Sequence, residues 1–173
     1  MFGSKGLVQI YTGNGKGKTT AALGLALRAS GQGAKVIIIQ FMKGWEHYGE
    51  LKAVQSLAGV TLIQTGRPDY VYRGQETDTD YSEASKGLAL AKEHLTDCDL
   101  LILDEINVAL DYDLIRLNDV IELVKSKPES LEMVLTGRAA DESLIELADL
   151  VTEMKEVKHP YQKGIEARRG VEF

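Results

Sequence analysis

The residues best able to do chemistry stand together near the start of the chain: Thr12-Gly13-Asn14-Gly15-Lys16-Gly17-Lys18-Thr19-Thr20. Glycines at this spacing let several backbone N–H groups turn into one concavity without Cβ clashes. A helix starting directly behind them adds partial positive charge, which favours a bound anion. A lysine then reaches terminal phosphates and a hydroxyl holds Mg²⁺; Gly17-Lys18-Thr19 supplies both in order. The common form of such a loop is Gly, about four residues, then Gly-Lys-Ser/Thr. Here Thr12 holds that first position and Gly13 follows it, so the loop is a residue short. A shorter loop encloses fewer phosphate oxygens. That points to a shifted nucleotide register and away from ordinary γ-phosphoryl transfer.

A second signal is Leu100-Leu101-Ile102-Leu103-Asp104-Glu105, an apolar run ending in an acid pair. It places carboxylates at the carboxyl end of a buried strand, where Mg²⁺ would sit opposite Thr19. In an ATPase, Glu105 would instead polarise an attacking water. Lys43, after Gln40-Phe41-Met42, and Arg138, in Thr136-Gly137-Arg138, also follow strand-like runs. Each reads either as a phosphate contact or as a surface cation in a turn. His47, His94 and His159 form no metal-ligand pattern, and no Ser/His/Asp or Cys/His constellation is readable. Tyr70, Tyr72 and Tyr81 fall in one polar stretch, placed either to stack on a planar ligand or to pack on the surface.

Those residues need a scaffold, and short β-branched runs alternating with longer helical patterns provide one. Strands are expected over Leu7–Tyr11, Lys35–Phe41, Val60–Gln64, Asp99–Asp104, Leu131–Leu135 and Leu150–Lys155. Helices are expected over Lys18–Ser30, Tyr48–Leu57, Ser82 (as N-cap) to His94, Asp113–Lys127 and Asp141–Asp149. Arg67–Tyr81 reads as a long loop, functional or mobile. The class is α/β, a three-layer P-loop NTPase-like (RecA-like) fold with a mostly parallel central sheet. Ligands of such sheets bind outside the carboxyl ends of the strands, which is where the four polar segments fall.

The chain has 173 residues, the size of a single domain covering 1–173. Its 44% apolar and 27% charged residues exclude disorder, collagen and coiled coil as whole-chain descriptions. Runs such as Val36–Ile39 fall far short of the roughly 20 apolar residues that span a bilayer. Cys98 is the only cysteine, so a reducing, cytoplasmic setting is expected. A net charge of −6 argues against nucleic acid and anionic membranes as partners. The stretch Lys155–Gly170 is locally basic, either a solvated surface or a segment that folds over an anionic ligand.

Gly13 to Ala22, then Gln40-Phe41-Met42-Lys43-Gly44, Leu103-Asp104-Glu105 and Thr136-Gly137-Arg138 resemble the ATP:corrinoid adenosyltransferases. Val157-Lys158-His159-Pro160-Tyr161, with Gly164-Ile165 and Gly170-Val171, is similar to the end of that family's chains. The shortened loop is itself a feature of the family. The resemblance implies that cobalt(I) of a corrinoid attacks C5′ of ATP and releases the whole triphosphate, in adenosylcobalamin synthesis or salvage.

It further implies that Gly13, Asn14, Gly15, Lys16, Gly17, Lys18, Thr19 and Thr20 bind the triphosphate. Thr19 and Glu105, with Asp104, would hold Mg²⁺, while Arg28, Lys43 and Arg138 would contact phosphate or nucleotide. Lys18, Thr19 and Glu105 would be the catalytic group. A reduced flavoprotein or free flavin would donate electrons to a homodimer. One departure stands out: many members carry Phe-x-Trp after a Thr-Gly pair. Here Thr65-Gly66 leads into Arg67-Pro68-Asp69-Tyr70, leaving Tyr70 or Tyr72 as substitutes. The main alternative is a P-loop NTPase that hydrolyses ATP to drive a protein partner. A non-catalytic carrier of corrinoid or nucleotide is a third.

Overall fold

Unbroken apolar runs form the middle of the sheet because both of their faces are covered. In the computed structural model, which describes residues 5–173, six strands form one sheet. They are β1 (Val8–Thr12), β2 (Val36–Phe41), β3 (Val60–Thr65), β4 (Leu100–Asp104), β5 (Glu132–Thr136) and β6 (Leu150–Glu153). Their order is β3-β2-β4-β5-β1-β6 and every pairing is parallel. The α/β expectation holds.

Alternation along the strands sorts side chains to two faces. Ile37, Ile39 and Phe41 of β2, with Leu101 and Leu103 of β4, face one apolar cluster. Val36, Ile38, Leu100 and Ile102 face the other. Helix α1 (Lys18–Gly31) covers the second face with Ala22, Ala26 and Ala29, small residues at helical spacing that let the helix lie close. The first face is covered by α3 (Asp78–Glu93), α4 (Ile106–Asp111), α5 (Leu117–Lys125) and α6 (Glu142–Leu147). A short α2 (Gly49–Ala53) follows β2. Each fully buried Ile or Leu contributes roughly 1.5–3 kcal/mol, so the paired clusters fix where the strands end.

Three boundaries depart from expectation. Helix α3 starts at Asp78, not after Ser82, because Thr77 and Asp80 form a reciprocal capping box upstream. Tyr81 therefore lies on a helix, and the loop after β3 is shorter than predicted. Ile106–Asp111 forms α4 directly after the acid pair, with Ile106 and Ala109 buried; the sequence reading had no element there. The expected helix from Asp113 begins only at Leu117. Before it, Asp113 takes a left-handed φ of 56° and turns Leu114 and Ile115 into the core.

Cys98 is half-buried between the end of α3 and the start of β4, its Sγ donating to the His94 carbonyl at 3.1 Å. Burial pushes its thiol up to about 12, which favours the protonated form near neutral pH. No helix among the described residues is long and apolar enough to cross a membrane.

Candidate functional site

The turn between β1 and α1 is built on positive φ. Gly13 has φ 92° and Gly17 has φ 118°. A Cβ on Gly13 would also lie 2.6 Å from the Met154 carbonyl, so only glycine fits there. Behind the loop, the Gly15 amide donates to that same Met154 carbonyl at 2.6 Å, tying the loop to the end of β6. Lys18 opens α1, and its ammonium folds back to donate to the carbonyls of Gly13 (2.8 Å) and Gly15 (2.7 Å). It is 8% exposed. Burial lowers its pKa, opposed by the nearby Glu105 and Asp104 carboxylates.

Asp104, at the end of β4, is fully engaged. Its Oδ1 accepts from the Thr19 hydroxyl at 2.8 Å and the Thr136 hydroxyl at 2.7 Å. Its Oδ2 accepts from the Lys43 ammonium at 2.7 Å and the Gln40 amide at 3.1 Å. Burial alone would raise its pKa, but Lys43 and the hydroxyl donors prevail and hold it low. Lys43 shows the complementary balance: burial opposes its charge, yet Asp104 and Glu105 raise its pKa. One carboxylate thus joins β1–α1, β2, β4 and β5 at their carboxyl ends.

Glu105 is the contrasting neighbour. Its amide donates to the Thr136 hydroxyl at 3.0 Å, but no hydrogen bond reaches its carboxylate among the described residues. Burial, and then the charge of Asp104, push its pKa up. Its φ of 61° is left-handed, as is Met42 at 58° after β2 and Ala139 at 52° after β5. Among the described residues, three of the four such non-glycine residues follow strands that end at the site, where strain is held by surrounding structure.

A cavity of about 770 Å³ opens over these strand ends. Lys16, Gly17, Lys18, Thr19, Thr20, Lys43, Glu105 and Arg138 line it, so the structure brings most of the expected residues together. Asp104 lies beneath them, 1% exposed. Gly13, Asn14 and Gly15 shape the loop without lining the cavity. Arg28 is set apart: it is exposed in the last turn of α1, about 15 Å along the helix from Lys18. Arg28 therefore does not line this cavity.

The same cavity is lined by Tyr70, Val71 and Arg73 of the loop after β3, and by Val108, Asp111 and Tyr112. Arg73 pairs with Asp111 and lies 4.8 Å from the Tyr112 ring centroid. Tyr70 meets Tyr72 edge-on at 4.9 Å, and both are largely exposed. Near α2, Trp45 meets Tyr48 and Phe173 edge-on at 5.2 and 5.1 Å. Residues 170–173 complete the cavity wall, and Glu172 accepts from Lys16 at 2.7 Å.

Sequence reasoning named the segments of Gln40 and Thr136 but not their hold on Asp104. Gln40 is fully buried and accepts from the Gln64 amide at 3.2 Å. A buried glutamine inside an apolar strand was the available signal. For Glu172 and Phe173 there was none.

Thr19 and Glu105 offer a hydroxyl and a carboxylate, oxygen donors suited to a hard cation such as Mg²⁺, with the fully engaged Asp104 behind them orienting Thr19. Glu105, lacking a protein donor, has the free acceptor such an ion needs. No cluster of three or more His, Cys, Asp or Glu occurs among the described residues, and Mg²⁺ at phosphate sites does not require one.

Comparison with known proteins agrees with this geometry. The family model described as ATP:corrinoid adenosyltransferase BtuR/CobO/CobP matches residues 4–173. A corrinoid adenosyltransferase of a Sinorhizobium species is 42% identical over 173 residues, covering 98% of this chain and 81% of the relative. That of Pseudomonas aeruginosa is 36% identical, covering 98% and 84%. That of Escherichia coli K12 is 34% identical, covering 98% and 86%. None of these matches favours a hydrolytic NTPase. A phosphate loop of shortened form, an acid pair opposite its threonine and full-length similarity converge: the chain belongs to the ATP:corrinoid adenosyltransferase family.

Proposed function

We propose a division of labour for the ATP-dependent adenosyl transfer to a corrinoid that this family performs. The observation that carries it is the single cavity shared by the phosphate loop, the Glu105 carboxylate and the tyrosine-bearing loop after β3. The loop amides, Lys16, Lys18 and Arg138 take the triphosphate; Thr19 and Thr20 flank it at the start of α1. Lys18 suits this role because its ammonium is held by two neutral carbonyls, not by a carboxylate, and keeps its charge for a ligand.

In the reaction, the electron pair of cobalt(I) forms the cobalt–carbon bond at C5′. The C5′–O bond breaks, and its electron pair leaves with the triphosphate. The chain need supply no nucleophile. Its contribution is to align the two substrates, stabilise charge on the departing oxygens and keep water out. Lys43, pinned between Asp104 and the face of Tyr48 at 5.7 Å, holds the network in place. Mg²⁺, held by Thr19 and Glu105 with Asp104, would neutralise phosphate charge.

Within the same reading one domain over 1–173 carries the reaction. A reduced flavoprotein or free flavin supplies electrons, the chain pairs as a homodimer, and a reducing cytoplasm fits its lone free cysteine. The test is an anaerobic assay with Mg²⁺-ATP and chemically reduced corrinoid. The expected result is the spectrum of an alkylated corrinoid with stoichiometric triphosphate. Orthophosphate with an unchanged corrinoid would overturn the reading in favour of an NTPase.

A further inference from the structure

Residues 168–173 form a tight turn that ends on the phosphate loop. The amides of Val171 and Glu172 donate to the Arg168 carbonyl at 3.1 and 2.9 Å, and the Gly170 amide donates to the Phe173 carbonyl at 2.6 Å. This turn delivers the Glu172 carboxylate to the Lys16 ammonium at 2.7 Å, while the Val171 carbonyl accepts from the same ammonium at 3.0 Å. Arg168 grips the carboxylate from its other side. Its amide and Nε reach Oε2 at 2.7 and 3.2 Å, and Nη2 reaches Oε1 at 3.0 Å. Arg168 and Lys16 together hold the Glu172 carboxyl down at about 2, so it is an anion at any working pH.

The pair is open to exchange. The Lys16 and Glu172 side chains are 42% and 21% exposed, the setting in which an ion pair holds weakly against competitors. A carboxylate on a phosphate-loop ammonium takes the place a phosphate oxygen would contend for. Lys18 carries no such internal anion; its partners are neutral carbonyls. A ligand that engages Lys18 alone leaves the turn in place. One long enough to engage Lys18 and Lys16 together must displace Glu172, and with it Phe173 from its edge-on contact with Trp45.

We infer that Glu172 is a specificity-determining residue: a built-in anion on Lys16 that a polyphosphate chain displaces, releasing residues 170–173 from Trp45, and that shorter phosphates leave undisturbed. The inference rests on the loop being the triphosphate site. It extends that reading to how chain length is selected.

Trp45 is the only tryptophan and Phe173 is one of its three ring neighbours, with His47 and Tyr48, so loss of Phe173 changes its emission and the Phe173→Ala variant isolates that contribution. Inorganic triphosphate and orthophosphate are titrated by calorimetry and by Trp45 fluorescence into the wild type, Glu172→Gln and Phe173→Ala. Triphosphate should shift Trp45 emission in the wild type and orthophosphate should not. Glu172→Gln should bind triphosphate roughly threefold tighter, the scale of a freed exposed ion pair, with orthophosphate unchanged. Ligand-free Phe173→Ala should already show the emission of the triphosphate-saturated wild type. Triphosphate that binds with no emission change, and no tighter in Glu172→Gln, overturns the inference while leaving the phosphate loop intact. No binding of triphosphate to any of the three proteins overturns both.

Discussion

The cavity joins two regions held together on different physical terms. Around Asp104 the polar groups are buried or half-buried and closely engaged: four donors converge on one carboxylate from three segments at the carboxyl end of the sheet. Around the far end of the loop after β3, beyond its buried Arg67–Asp80 anchor, the ties are few and lie in solvent. Arg73 pairs with Asp111 with side chains 57% and 40% exposed, and Tyr70 is 73% exposed. Buried networks resist change because breaking one leaves polar groups unpaired in a low dielectric. Exposed pairs exchange readily with water. The sheet end is thus held rigid, and the far end of the loop is free to rearrange.

The most severe way to break this comparison is at the loop lysine. Lys18→Ala should lower the adenosylation rate by about 10³, the scale of losing one preorganised charge donor, with helical circular dichroism retained. Full activity in that variant would refute the phosphate role of the loop.

Next comes the buried carboxylate. Asp104→Asn leaves the Lys43 ammonium, 14% exposed, without its counter-charge. Breaking a buried pair costs about 3 kcal/mol, a drop in melting temperature of roughly 6–12 °C for a chain of this size. The wild type carries a pH signature of the same network. Because the Asp104 pKa is held low when folded, its stabilisation is present above the ordinary aspartate value and is lost as pH falls through the folded value. The variant should lack that acid limb, which thermal melts across pH would show.

Glu105 should behave oppositely, with a smaller effect. Its pKa is raised on folding by burial and by Asp104, so its contribution is full at low pH and lost as pH rises through the folded value. Glu105→Gln should therefore melt above the wild type at neutral pH and converge with it below the ordinary glutamate range, while losing Mg²⁺-dependent activity. A variant that melts below the wild type at neutral pH would mean that the carboxylate has a partner in solution.

The two regions also differ in how far the sequence revealed them. Strands β2 and β4 were legible because burial on both faces leaves an unbroken apolar run. The phosphate loop was legible because its glycines and lysine serve local geometry. Helix α4 was not, since Ile106–Asp111 abuts the acid pair with no linker or cap to announce it. The start of α3 was misread because Ser82 offers a competing cap, while the operative one, Thr77 with Asp80, is reinforced from outside by Arg67 at 2.9 Å. Gln40, Thr136 and Glu172 take their roles from partners distant in sequence. Local pattern cannot report such roles.

The smallest effect, and the sharpest discriminator between the regions, lies at Arg73. It bridges the loop to α4 twice at Asp111, through the carboxylate and through the carbonyl at 2.7 Å, and covers the Tyr112 ring. Arg67 anchors the other end of the loop on Asp80, which is 4% exposed. Arg73→Ala therefore frees one end of the loop while the buried anchor and Val71, itself 4% exposed, keep the rest attached. The melting temperature should not move, because the lost contacts are already solvated. Amides of residues 69–76 should exchange faster in the variant and regain protection when corrinoid is added, with KM for corrinoid raised and kcat preserved. A matching rise in KM for ATP would show that the loop serves the nucleotide as well, and that the cavity is one adaptive unit rather than a rigid half joined to a pliant one.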